Sequence, residues 1–168
     1  LAVEAWALAR LLDADRLVLH AGLTVAQLPP DDRITDPPDL PWLADLATSL
    51  GDQRLRCVVV LSIGIEEMLA GRFAEATGHF ATAVGAAQDA GYWHGTGFAL
   101  MCCAALASVT GDHTNCAVLH GAASPTLPVL QRGMPPAYWR IYEDLIDTSR
   151  AALGDERFGA LADDGASL

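Results

Sequence analysis

The sequence predicts an all-α protein, a helical repeat array built from antiparallel helix pairs. Three observations predict it. Apolar residues recur at helical spacing through alanine-rich text. Glycines punctuate that text about 20 residues apart, at Gly51, Gly71, Gly91 and Gly111. Residues 51–90 also align with residues 91–130 at an offset of 40. In that alignment Val60 falls on Leu100, Leu61 on Met101 and Ile63 on Cys103, while Gly64 falls on Ala104, Ala76 on Cys116 and Ala83 on Ala123. Large apolar residues mostly meet large ones, and small residues meet small ones.

Residues 1–20 read as one N-terminal helix, with Ala2, Ala5, Trp6, Ala9, Leu12 and Leu17 at helical spacing. Gly22 and Leu23 open a different segment. Residues 24–41 read as a Pro-rich connector holding Pro29, Pro30, Pro37, Pro38 and Pro41, because proline fixes φ and lacks the helical donor. Residues 42–123 read as the helical repeats. A short helix over 41–50 fits Pro41 in its first turn and Gly51 as its stop. Helices are then expected over 52–70, 72–90, 92–110 and 112–123, the glycines supplying turns where a left-handed residue costs least. In the second of these, Phe73, Ala76, Phe80, Ala83, Val84 and Ala87 form one apolar stripe. Residues 124–135, with Pro125, Pro128 and Pro135, read as a loop. Residues 136–168 read as C-terminal capping helices. The first carries Tyr138, Tyr142, Leu145, Ile146 and Ser149 on one face and stops at Gly154. The last is capped by Asp155, faces Phe158 and Leu161 inward, and frays over the closing DDGASL.

The 168 residues fit a single helical-repeat domain, and 52% hydrophobic content excludes a disordered chain. Ten basic against 21 acidic side chains give a net charge of −11. Such a surface repels phosphate, which argues against direct nucleic-acid binding by this segment and against anionic membranes. Cys57, Cys102, Cys103 and Cys116 lie in apolar helical text without a C-x-x-C pair, so they read as free buried thiols suited to a reducing cytoplasm. No uncharged run is long enough to span a membrane. The chain opens on Leu1 rather than Met, which reads as a segment of a longer protein.

Gly64, Gly71, Ala76, Phe80 and Ala83 resemble the tetratricopeptide pattern of small, turn, small, aromatic and small residues. Ala104, Gly111, Cys116 and Ala123 repeat it, with His120 in place of the aromatic. The resemblance implies a right-handed solenoid whose first helices line a concave face. The C-terminal text Gly121-Ala122-Ala123, Pro135-Pro136, Tyr138 to Tyr142, and Ala152 to Phe158, with Gly165 and Leu168, resembles the closing helical region of large bacterial ATP-binding transcriptional regulators of the LuxR/MalT type, some fused to adenylate-cyclase-like domains. The likeness covers residues 51–168. It implies a cytoplasmic sensor module whose partners include an ATPase domain and possibly a DNA-binding domain in the parent chain. This segment has no G-x-x-x-x-G-K-[ST] phosphate loop and no basic recognition helix.

Several clusters compete as sites. Tyr92, Trp93, His94 and Phe98 open the first helix of the second repeat, where aromatics anchor peptides or small ligands. The alignment brings Arg54 and Arg56 beside them, where guanidinium groups hold a carboxylate. The opposing reading is that Trp93 and Phe98 pack between repeats. Trp139 lies off the main stripe of its helix and is a candidate interface contact. His113, Cys116 and His120 share a helix face at metal-ligand spacing, but their aligned residues Phe73, Ala76 and Phe80 are packing residues. Cys102 with His94 is a remote nucleophile–base pair. Glu66, Glu67 and Glu75 read as a solvated face. The sequence therefore points to a non-enzymatic module without cofactors. It binds a peptide, a small effector or a partner surface, or alternatively serves as a homodimerisation scaffold with no ligand.

Overall fold

The computed structural model describes residues 2–12, 14–26 and 38–168, and these residues form ten α-helices and no strand. The helices are α1 (Ala2–Leu11), α2 (Asp15–Ala26), α3 (Leu40–Ser49), α4 (Gln53–Leu69), α5 (Phe73–Asp89), α6 (Trp93–Val109), α7 (His113–Ala123), α8 (Leu127–Gly133), α9 (Pro136–Leu153) and α10 (Asp155–Ala166). Most helices pack against their chain neighbours in antiparallel fashion, whereas α8 packs on α6, and α7 and α10 also form a close pair.

The glycine cadence has one physical cause. Gly51, Gly71, Gly91 and Gly111 all have positive φ, between 56° and 80°. At each, the glycine amide donates to the carbonyl three residues back and the next amide donates five residues back. Gly51 bonds Thr48 and Asp52 bonds Ala47; Gly111 bonds Ser108 and Asp112 bonds Ala107. This paired closure satisfies the orphan carbonyls of a helix end and requires a left-handed residue. The following residue then caps the next helix. Asp52 and Asp112 do so with their side chains, accepting from the amides of Leu55 and Asn115. Helices α4, α5 and α6 are consequently all 17 residues long. The expected bounds over 52–123 are met to within a residue.

Elsewhere the structure corrects the sequence reading. Residues 1–20 do not form one helix. The chain breaks after α1 and restarts with Asp15 in the first turn of α2, a favourable place for an acid. Trp6 and Ala9 are buried, as are Val18, Leu19 and Val25, but Leu12 and Leu17 face solvent. Gly22 is no boundary either. It sits inside α2, where an added Cβ would lie 2.7 Å from the Trp6 ring, so it makes room for that indole. Of the connector predicted over 24–41, residues 24–26 belong to α2 and 40–41 to α3, while Pro29, Pro30 and Pro37 lie outside the described residues.

The loop expected over 124–135 contains α8. Its prolines do not oppose it, because Pro128 stands in the first turn, where the missing donor is harmless. Thr126 starts α8 and is anchored twice: its Oγ1 donates to the Ala123 carbonyl at 2.7 Å, and its side chain fills the space over Gly97 of α6. Helix α10 is capped by Gly154 (φ +81°) rather than by Asp155, which is its first residue. It does not fray at DDGASL but runs to Ala166, because Gly165 is buried against α7. Tyr138, expected on the core face of α9, is exposed.

Three apolar clusters run along the chain. The first joins α1–α4 around Trp6, Leu19 and Leu43; the second joins α4–α6 around Leu61 and Phe80; the third joins α6–α10 around Cys116, Tyr142 and Phe158. Helix α6 is central. Its uniformly small and apolar text is buried on nearly every side, as such a helix must be. Among the described residues no helix is long and apolar enough to cross a membrane.

Candidate functional site

The aromatic cluster forms where α6 begins. Tyr92 is the residue before the helix, and Trp93 and His94 occupy its first turn. Tyr92 is half-buried. Its ring lies over Gly95, where an added Cβ would fall 2.4 Å from Cδ1, so the glycine lets the ring lie flat against α6. The Arg54 guanidinium sits over this ring, 5.7 Å from its centroid. Such a cation–aromatic contact is worth about 0.5–1 kcal/mol at an exposed site. Trp93 is 54% exposed, and the His94 ring packs on it with centroids 3.6 Å apart and a tilt of 33°. Trp93 and His94 thus form a ledge that extends from Tyr92 into solvent.

The expected neighbours divide. Arg54 reaches the aromatics from α4, as the alignment anticipates. Arg56 turns instead to Gln53 of its own helix, its Nη1 donating to Oε1 at 3.3 Å. Phe98 leaves the cluster altogether. It is half-buried and packs against both the second and third core clusters, so its ring joins α6 to its neighbours. Trp139 is half-buried against the third cluster, its ring 5.6 Å from that of Tyr142, with its Nε1 buried and unpartnered among the described residues.

Beside the aromatic ledge lies an open depression of about 280 Å³, lined by Arg16, Gly51, Asp52, Gln53, Arg54 and Ala90. It brings α2 together with the turns that precede α4 and α6. Sequence reasoning missed Arg16. The residue comes from a helix outside the aligned repeats, and no local pattern connects it with residue 54.

His113, Cys116 and His120 do share one face of α7, but α9 occupies that face. His113 Nδ1 lies 3.1 Å from Ser149 Oγ, Ser149 donates to Ser108 Oγ at 2.9 Å, and Ser108 donates to the Leu145 carbonyl at 2.6 Å. Because the Ser149 proton points to Ser108, His113 Nδ1 is the donor to Ser149. The His120 Nδ1 lies 2.8 Å from the Tyr142 hydroxyl. These bonds pin α6, α7 and α9 together in a region where unpaired polar groups would be costly. Among the described residues no group of three His, Cys, Asp or Glu side chains could hold a metal ion.

Burial, and secondarily Arg150, hold the His120 pKa below the usual 6.5. Burial likewise raises the Tyr142 hydroxyl, which stays neutral within hydrogen-bond distance of the imidazole. Between the lowered folded value and about 6.5 the unfolded chain binds the His120 proton more readily. His120 therefore contributes its full stability above about pH 6.5 and loses it as the pH falls through that window. Thermal midpoints measured downward from about pH 7.5 should fall for the native chain. A His120→Gln variant, which keeps a hydrogen-bonding partner for Tyr142 but cannot titrate, should show a shallower decline. Equal slopes would exclude His120 as the group responsible.

The remaining candidates are explained by packing. Burial pushes the Cys57 and Cys103 thiols up to about 11 and raises Cys102 as well, which keeps all three protonated at neutral pH. Glu67 is paired with Arg72, whose hydrogen bond holds that carboxyl below its usual range, and Glu75 is exposed. No protein-family model matches the chain, and no curated protein or solved structure matches it.

Proposed function

We propose that the chain is a tetratricopeptide-like module, a right-handed solenoid of helix pairs that binds a peptide, a small effector or a partner surface through the ledge of Tyr92, Trp93 and His94. The observation that carries the reading is Trp93: a tryptophan 54% exposed and packed on His94, beside a Tyr92 that contacts Gly95 and Arg54. Fixed, partly exposed aromatics of this kind are the usual anchors of recognition surfaces. Recurrence of one turn geometry every 20 residues supports the repeat reading. Its 40-residue period is longer than the 34 residues of the usual tetratricopeptide unit, in keeping with 17-residue helices.

The resemblance to LuxR/MalT-type regulators points to a cytoplasmic bacterial regulator in which this module stands beside an ATPase domain and possibly a DNA-binding one. Ligand occupancy would then bias helix packing against the switch domain, with no bond chemistry in this segment. Peptides selected for binding to the native chain should bind Trp93→Ala at least about tenfold more weakly, the loss typical of a recognition anchor. Selected ligands that bind both proteins equally would remove the ledge from the binding surface.

A second reading, a homodimerisation scaffold, is favoured by another observation. Leu8, Leu12 and Leu17 are more than half exposed and line an apolar groove between α1 and α2. Sedimentation across a concentration series decides it: a mass that stays constant at the monomer value rejects the scaffold.

A further inference from the structure

We propose that the depression between α2 and the turns preceding α4 and α6 binds the carboxylate of a monoanionic ligand, whose remaining apolar part lies on the Trp93 ledge. The inference rests on the ligand-binding reading above and names the chemistry of the ligand. Its basis is an excess of hydrogen-bond donors in an acidic molecule. All ten basic residues are arginines against 21 acids, yet two of them, Arg16 and Arg54, line this one depression. Among the described residues neither is engaged in an ion pair. Arg54 is positioned by the Tyr92 ring beneath it. Gln53 has its amide oxygen occupied by Arg56 Nη1, which leaves its two N–H donors. The acid that lines the depression, Asp52, already accepts from the Leu55 amide through Oδ1.

Guanidinium groups and amide donors match the planar, acceptor-only carboxylate. Asp52 sets the charge of the guest. Its own negative charge offsets one of the two arginines, so a single negative charge is accommodated better than two. The volume of about 280 Å³ holds a terminal group rather than a whole ligand. Arg54 both lines the depression and sits over the Tyr92 ring, so it joins the depression to the aromatic cluster.

The test is a titration of the isotopically labelled 168-residue chain by heteronuclear NMR, with three probes: N-acetylphenylalanine, its primary amide, and inorganic phosphate. The acid should shift the amides of Gly51, Gln53 and Gly91. Arg16→Gln and Arg54→Gln should each weaken it about tenfold or more, and the uncharged amide should bind the native chain correspondingly weakly. Both variants remove exposed charge, and their native spectra confirm folding. An amide that binds as well as the acid overturns the carboxylate assignment while leaving the aromatic ledge intact. Phosphate that binds as well as the acid overturns the preference for a monoanion. No shift at the solubility limit of the acid overturns the site. Acid binding that survives Trp93→Ala but fails in Arg54→Gln supports the carboxylate site and rejects the ledge.

Discussion

Replacing Gly121 with alanine is expected to destabilise the chain by about 2–3 kcal/mol, although the same change at most helical glycines would stabilise it. A Cβ on Gly121 would lie 1.9 Å from the Ala162 carbonyl oxygen and 2.6 Å from its carbon. The contact is reciprocal, since a Cβ on Gly165 would lie 1.9 Å from the Val118 carbonyl oxygen. Both clashes are with backbone, so no side-chain rotation relieves them, and α10 must move away from α7. Alanine gains about 1 kcal/mol in helix propensity over glycine, which the clash has to exceed. Gly159 supplies the control. It lies in α10, as Gly165 does, but an added Cβ there meets nothing within 4 Å. Gly159→Ala should therefore raise the unfolding midpoint in urea, while Gly121→Ala and Gly165→Ala lower it. The two lowering variants should also be cleaved sooner by a protease near Gly154, where α10 joins α9. Midpoints that move in the same direction at 121 and 159 would mean that α7 and α10 do not approach backbone to backbone.

The contrast between these glycines shows what the sequence makes legible. A glycine that ends a helix answers a local requirement: a left-handed backbone within a few residues of a capping pattern. Gly51, Gly71, Gly91 and Gly111 are therefore readable from spacing alone, and the bounds of α4 to α7 come with them. Gly22, Gly97 and Gly121 answer a different requirement, the arrival of Trp6, Thr126 and the Ala162 backbone. Those partners are distant in sequence or in another helix, and a single chain does not announce them. Proline is ambiguous for a related reason. Pro128 and Pro136 forbid the middle of a helix but suit its first turn, so a cluster of prolines reads as loop where short α8 stands. The candidate site divides the same way. Arg54 and Tyr92 come together through the 40-residue offset. Arg16 arrives by tertiary packing of α2, and Ser149 and Tyr142 reach His113 and His120 from α9.

Phe80→Ala is expected to cost about 3–5 kcal/mol, the loss typical of emptying a fully buried phenylalanine site. Phe80 is fully buried in the second core cluster, and its ring rests on Gly64, where an added Cβ would fall 2.5 Å from Cε1. Gly64→Ala alone should also destabilise, by about 1–3 kcal/mol, because the methyl enters space that the ring occupies. The two changes should not add. With the ring removed, the methyl introduced at position 64 fills part of the cavity, so the double variant should be more stable than Phe80→Ala alone. A related pairing, alanine without phenylalanine, stands 40 residues on. There Ala104 stands for Gly64 and His120 for Phe80. Alanine replaces the glycine where no phenylalanine has to lie flat on the helix, and His120 turns to Tyr142 and to the Phe158 ring, 5.8 Å away. The departures from the pattern at residues 104 and 120 thus occur together. A chemical-denaturation cycle on positions 64 and 80 measures this coupling directly. Strict additivity would mean that the ring and the glycine do not share the space the structure gives them.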